Sequence, residues 1–202
     1  MNKKMKTDII LSGVGGQGIL TIAAIISWAA VKNKMHIKQA EVHGMAQRGG
    51  SVYSHLRLST EPIYSDLISK GQADLILSVE PMEGLRYLPY LSFSGWLVTN
   101  LKPVKNIPDY PKEEELLQAI ESVPNHVYLD AEGLARQIKA PKSANIIMLG
   151  AASPFLGFKY QDLEWAIEKQ FLRKGQEVVD INKKALKLGF DEAHRLFPDK
   201  FA

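Results

Sequence analysis

The sequence predicts a doubly wound α/β fold: a mostly parallel, Rossmann-like sheet with helices on both faces and a helical C-terminal third. Three observations predict it. Short apolar runs alternate with segments of helical periodicity, the pattern of a parallel sheet with crossover helices. A glycine fingerprint stands between the first such run and the first such helix. From residue 131 onward the apolar spacing is helical throughout.

The elements follow in order. Residues 7–12 carry Ile9, Ile10 and Leu11 in succession, as a strand buried on both faces does. After the glycines, residues 19–31 place Ile19, Leu20, Ala23, Ile26 and Ala30 at helical spacing. Residues 36–42 form a second, more polar strand, and 43–50 a Gly-rich polar loop. In 51–58, Val52, Ser54, Leu56 and Leu58 alternate with Tyr53, His55 and Arg57, which predicts a half-buried strand ended by Glu61-Pro62. Residues 73–79 repeat the buried-strand signal, a short helix follows near 81–88, and 96–100 is again a strand. Pro103, Pro108 and Pro111 mark an irregular connection. Helix 113–121 and strand 126–130 lead into helices over 131–138, 145–152, 160–172 and 177–196. The chain, 1–202, is expected to form one domain, with the helices of about 145–198 packed back on the sheet.

Composition narrows the function. A hydrophobic share of 46 % and a charged share of 23 % are those of an ordinary globular protein. The net charge of +3 comes from interspersed acids and bases, without the basic stripe of a nucleic-acid binder. Cysteine is absent, which excludes disulfides, thiolate nucleophiles and a cysteine-held iron–sulfur cluster in this chain. The basic start, residues 1–6, meets only Ile9-Ile10-Leu11 before glycines interrupt it, so the expectation is a cytoplasmic protein without a signal peptide. No stretch approaches the roughly 18 apolar residues of a membrane helix.

Gly13-Val14-Gly15-Gly16-Gln17-Gly18 fits G-x-G-x-x-G with a strand before it and a helix after it. In that fingerprint Gly13 serves a tight turn, Gly15 admits a ligand's oxygens to the backbone, and Gly18 lets helix and strand lie close. Backbone N–H groups and the helix dipole then make an anion site. Glu41, near the end of the second strand, stands where a dinucleotide-binding fold keeps its ribose-binding acid, so a free-standing NAD-dependent oxidoreductase is one reading. A P-loop is excluded: Ile19 and Leu20 occupy the positions of its Lys and Ser/Thr. A plain turn within a non-catalytic assembly protein is the bland alternative.

The second candidate loop is Glu41-Val42-His43-Gly44-Met45-Ala46-Gln47-Arg48-Gly49-Gly50-Ser51. Arg48 offers a planar donor fork for phosphate or carboxylate, and Gly49 and Gly50 allow a sharp entry into the next strand. Both loops are expected at the carboxyl edge of the sheet, where ligands bind in such folds. Trp28, Trp96 and Trp165 and the tyrosines Tyr64, Tyr87 and Tyr90 are assigned to core or interface.

Taken together, Gly15-Gly16-Gln17-Gly18 opening a helix and Gln47-Arg48-Gly49-Gly50-Ser51 resemble the gamma-type domain of the 2-oxoacid:ferredoxin oxidoreductases. Residues 73–77, 145–150 and the Asn-x-x-Ala-x-x-x-Gly of 182–189 are similar to that family as well, so the resemblance spans nearly the whole chain. The form of residues 41–50 is most similar to the indolepyruvate branch.

The resemblance implies oxidative decarboxylation of aryl pyruvates to acyl-CoA with reduction of ferredoxin; pyruvate, branched-chain oxoacids and 2-oxoglutarate are the alternatives. It further implies a hetero-oligomer in which a large partner subunit carries thiamine diphosphate, Mg and iron–sulfur clusters. No catalytic or metal residue is assigned here, and no cofactor is expected to be held by this chain alone. Gly13, Gly15, Gly16, Gln17, Gly18, Arg48, Gly49 and Gly50 are the candidates for CoA phosphate binding or for the partner interface, with Glu41 added only if the ligand is NAD. Neither nucleic acid nor membrane is an expected partner.

Overall fold

The computed structural model describes residues 5–43, 50–105 and 107–198. Six strands form one sheet: β1 (Lys6–Val14), β2 (His36–His43), β3 (Ser51–Ser59), β4 (Ala73–Ser78), β5 (Leu91–Asn100) and β6 (His126–Leu129), in the order β2-β3-β1-β4-β5-β6. Seven α-helices lie among the described residues: α1 (Ile19–Lys32), α2 (Pro81–Arg86), α3 (Glu113–Glu121), α4 (Ala131–Gln137), α5 (Ala144–Ala152), α6 (Tyr160–Phe171) and α7 (Gln176–Leu196).

The sheet is mixed. β1, β4, β5 and β6 pair in parallel, whereas β3 is antiparallel to both β1 and β2. β2 and β3, consecutive in the chain, pair antiparallel as a hairpin, which strand–helix alternation along the sequence does not reveal. The hairpin inserts β3 between β1 and β2. β2 nevertheless runs in the same direction as β1, so its end and the end of β1 lie at one edge of the sheet.

Alternation along the parallel strands divides the interior in two. Ile9, Leu11, Leu75, Leu77 and Val98 face the larger core, shared with α1 and α5. Ile10, Ile76 and Leu97 face a smaller core closed by Ile120 of α3 and by Tyr87 just after α2. Both faces of β3 are covered, with His55 only 3 % exposed, so the half-buried strand expected from its alternation is a central one. Its second face is wrapped by the segment between β3 and β4: Arg57 donates to the carbonyls of Ser65 and Leu67, and the N–H of Ile68 donates to His55 Nδ1.

The C-terminal helices pack in a stack. α5 lies on β4 and β5, α7 lies on α5, and α6 lies on α1. α5 and α7 touch backbone to backbone at two glycines. A Cβ on Gly150 would strike the carbonyl of Leu186, and one on Gly189 the carbonyl of Ile147. This contact explains the Asn-x-x-Ala-x-x-x-Gly pattern: Asn182 bonds Val178 and Ser143, Ala185 is buried, and Gly189 sets the crossing.

Candidate functional site

The chain proceeds from β1 to the β2–β3 side and then crosses to β4, so the topological switch point lies between β1 and β4. In open α/β sheets the crevice outside the carboxyl ends of such strands is where ligands bind. The glycine loop sits there, but its geometry differs from the fingerprint's usual form.

Gly13 is still strand, paired with Val52, and not part of the turn. It must be glycine because a Cβ would collide with Val79 at the end of β4. The turn proper begins after Val14, with Gly16 at φ 99° and Gly18 at φ 82°, left-handed conformations that glycine adopts at least cost. Gly18 is the N-cap of α1, and a Cβ there would meet the side chain of Asn145 on α5, not the strand. Asn145 returns the contact by donating to the Gly18 carbonyl at 3.1 Å.

Gln17 fills the crevice. Its Oε1 accepts the N–H of Val14 at 2.7 Å, and its Nε2 donates to the carbonyl of Val79 at 3.1 Å. The N–H of Gly15 donates to the carbonyl of Gly50 at 2.9 Å, and that of Gln17 to Val14. Among the described residues the N–H groups of Gly16, Gly18, Ile19 and Leu20 have no hydrogen-bond partner, which leaves the positive end of α1 with open donors.

Two adjoining clefts meet these donors. One, of about 490 Å³, runs from Gly16 and Gln17 past Val79 and Asn100 to Glu132 and Lys142. The other, of about 820 Å³, continues past Gly18 and Thr21 to Lys139, Lys174 and Asn182. Lys139 takes a left-handed backbone (φ 56°) where α4 ends, which starts the turn that presents Lys142. Asn100 braces the floor. It donates to Val79 at 3.2 Å and to Glu132 Oε2 at 2.8 Å, and accepts the N–H of Ala131 at 3.1 Å. The lysines and open N–H groups suit a phosphorylated ligand.

A second polar centre lies on the other side of β4. A row of hydroxyls, Ser12, Ser78 and Thr99, runs in register across β1, β4 and β5. Its small side chains let Gly84 of α2 approach closely; a Cβ there would stand 3.0 Å from Ser78 Cβ and 3.2 Å from Thr99 Oγ1. This brings two buried carboxylates to the edge. Glu80 caps α2 through the N–H of Glu83 and also accepts from the N–H of Val104 and the hydroxyl of Tyr110, pinning the proline-rich connection. Burial pushes its pKa up, only partly offset by those hydrogen bonds. Glu83 accepts from Ser51 Oγ at 2.5 Å.

The structure therefore brings Gly13, Gly15, Gly16, Gln17, Gly18 and Gly50 to one edge. Arg48 and Gly49 lie outside the described residues. Glu41 is elsewhere: it sits on the edge strand β2, with β3 between it and β1, and bonds Gln39 at 2.6 Å. Two strand spacings, about 10 Å, separate its strand from β1, whereas the ribose-binding acid of a dinucleotide fold sits on the neighbouring strand. With Gln17 in the crevice as well, the NAD reading loses its geometric basis. Sequence reasoning passed over Asn100, Glu83 and Lys142, whose roles depend on partners far along the chain. Asn145 was visible only as part of a longer similarity.

Fold and site define an α/β chain whose glycine loop and lysines line two clefts at one edge of the sheet, with no group of three or more His, Cys, Asp or Glu among the described residues that could hold a metal ion. The chain belongs to the pyruvate ferredoxin/flavodoxin oxidoreductase family, matching it over residues 8–192. It is 37 % identical to indolepyruvate oxidoreductase subunit IorB of Pyrococcus horikoshii, across 94 % of this chain and 96 % of that protein. The subunit of the same name from Methanothermobacter thermautotrophicus is 33 % identical, across 94 % of this chain and 98 % of its own length. The fold is shared with pyruvate oxidoreductase subunit PORC of Thermotoga maritima (TM-score 0.70, 24 % identity, 92 % of this chain and 96 % of that one). It is shared also with 2-oxoglutarate:ferredoxin oxidoreductase from Magnetococcus marinus, solved with 2-oxoglutarate, coenzyme A and succinyl-CoA bound (TM-score 0.73, 19 % identity, 96 % of this chain and 31 % of that one). No helix among the described residues is long and apolar enough to cross a membrane.

Proposed function

We propose that this chain, as one gamma-type domain, is the small subunit of a cytoplasmic indolepyruvate ferredoxin oxidoreductase. The reaction breaks the bond between the carboxylate and the carbonyl carbon of an aryl pyruvate, releasing CO2. The acyl carbon forms a thioester with CoA, two electrons pass to ferredoxin, and the thiol proton goes to solvent. The observation that carries this reading is the 37 % identity, over 94 % of the chain, to an IorB subunit.

Thiamine diphosphate and iron–sulfur clusters supply carbanion stabilisation and one-electron transfer in such chemistry. The residues of this chain do not fit them: it has no cysteine, and no group of three or more His, Cys, Asp or Glu among the described residues could hold a metal ion. Both are assigned to a large partner subunit, and no step is derived through them here. CoA does fit. Its phosphates match the open N–H groups at the start of α1 and Lys142, which lines the same clefts as Gly16; the guanidinium of Arg48 is a further candidate by its chemistry. A second role, contact with the large subunit, is favoured by the internal use of the Val14, Gly15 and Gln17 N–H groups, which leaves that part of the edge with few free donors.

The test is anaerobic purification of the tagged chain from its host, with assay of the eluate for CoA-dependent viologen reduction by indolepyruvate. Co-elution of a large cysteine-rich subunit with that activity is expected. A chain that elutes alone and inactive overturns the reading, and faster turnover of another oxoacid reassigns the substrate.

A further inference from the structure

The strongest feature not used by the function proposed above is the buried carboxylate of Glu83. We infer that Glu83 is a positioning residue for the two-loop edge, acting through Ser51. Glu83 is 1 % exposed on α2. Its Oε2 accepts from Ser51 Oγ at 2.5 Å and lies 3.3 Å from Arg86 Nε, while Tyr87 Oη stands 3.3 Å from the same Ser51 hydroxyl. Ser51 is the first residue of β3 and pairs in register with Val14, the last residue of β1. The adjacent Gly50 carbonyl receives the N–H of Gly15 at 2.9 Å. One carboxylate thus fixes the point from which both loops leave the sheet.

A structural role alone does not account for a charge at this place. α2 is already held by Gly84 against Ser78 and Thr99 and by the Glu80 cap, and an apolar side chain would fill the space without desolvating a carboxylate. What the carboxylate adds is direction. It orients the Ser51 hydroxyl, and with it the Gly50 carbonyl that anchors the glycine loop. The expected effect on the reaction is on the affinity of the edge for CoA, with kcat retained.

This inference rests on the CoA reading of the edge, so its test carries a separate control for that reading. The complex is prepared with Glu83→Ala, Glu83→Gln, Ser51→Ala and Arg48→Ala, and CoA and indolepyruvate are titrated separately. Glu83→Ala is expected to raise the KM for CoA about tenfold, the scale of one lost hydrogen bond to a charged group, with kcat and the KM for indolepyruvate retained. Glu83→Gln, whose amide oxygen still accepts from Ser51, is expected to restore most of the affinity. Ser51→Ala is expected to reproduce the Glu83→Ala shift, which keeps the test alive if Glu83→Ala does not fold. If Arg48→Ala raises the KM for CoA and neither Glu83→Ala nor Ser51→Ala does, the inference is overturned and the CoA reading stands. If none of the three moves it, both fall. A uniform loss of kcat and melting temperature with unchanged KM values makes Glu83 merely structural and overturns the inference.

Discussion

The side-chain amide of Gln17 donates to the carbonyl of Val79 at 3.1 Å, and that contact closes the crevice between the ends of β1 and β4. The same carbonyl accepts from Asn100, so the glycine loop, β4 and the β5–α4 junction are joined at one atom. A fingerprint that resembles a dinucleotide site is thereby turned into a braced corner whose free donors face the neighbouring cleft.

Gln17→Ala should therefore act first on stability. It leaves the Val14 N–H without its partner and removes one of two donors to Val79, a loss of about 1–3 kcal/mol. The midpoint of urea unfolding reads it. The isolated variant is expected to gain no affinity for NAD by calorimetry, because Glu41 stays two strands away from β1; measurable NAD binding would contradict that account.

Gly189→Ala is expected to be costlier than any surface change. The new methyl would enter the carbonyl of Ile147, so α5 and α7 must separate, at about 1–3 kcal/mol for an overpacked contact. Gly16→Ala is the informative comparison. At Gly16 the space is open and only the left-handed backbone is penalised, by about 1–2 kcal/mol. Equal melting temperatures for Gly189→Ala and wild type would show that the helix crossing relaxes freely.

His55 gives a dependence on pH. Its buried Nδ1 accepts the N–H of Ile68, which a protonated ring cannot do. Burial first, and the Arg57 charge second, hold its pKa below the ordinary 6.5. The unfolded chain thus binds the proton more readily, so this stability is present above pH 6.5 and lost as pH falls through the folded value. Glu80 works in the opposite direction: its pKa is raised above 4.5, so its contribution is present below that and lost as pH rises through the folded value. Urea midpoints between about pH 7.5 and pH 5 should fall less steeply in His55→Asn than in wild type. Parallel slopes would remove His55 as the cause.

Lys142 borders both clefts beside Gly16. In the complex, Lys142→Glu is expected to weaken CoA by about tenfold or more, since an attraction becomes a repulsion beside the phosphates. The dependence of the CoA KM on salt should flatten at the same time. Salt dependence identical to wild type would move the phosphates away from this cleft.

Much of the fold was legible because its signals are local. The run Ile9-Ile10-Leu11 was read as a buried strand and is one, and helix 113–121 was placed to the residue; its acidic first turn and its buried Leu116 and Ile120 are what hold it there. β5 was read short: it begins at Leu91, but its first half carries Ser92, Phe93, Ser94 and Gly95, of which only Gly95 is buried, so apolar periodicity is missing there. The site was legible as a place but not as a mechanism. The fingerprint singled out Gly13 for a tight turn and Gly18 for helix–strand contact, yet each is glycine because of a residue far along the chain, Val79 in one case and Asn145 in the other.

By itself the sequence determined the α/β class, the absence of thiol chemistry, the glycine corner and a similarity spanning nearly the whole chain. These are properties of periodicity, composition and short motifs, which need no knowledge of what lies across the sheet. Only the tertiary structure decided that β3 runs antiparallel between β1 and β2, that Gln17 fills the switch point, and that Glu83 reaches Ser51. Strand order and buried polar pairing are set by contacts between segments 32 to 62 residues apart, such as Ser51–Glu83 and Gln17–Val79, and no local pattern encodes which of the available partners a side chain will meet.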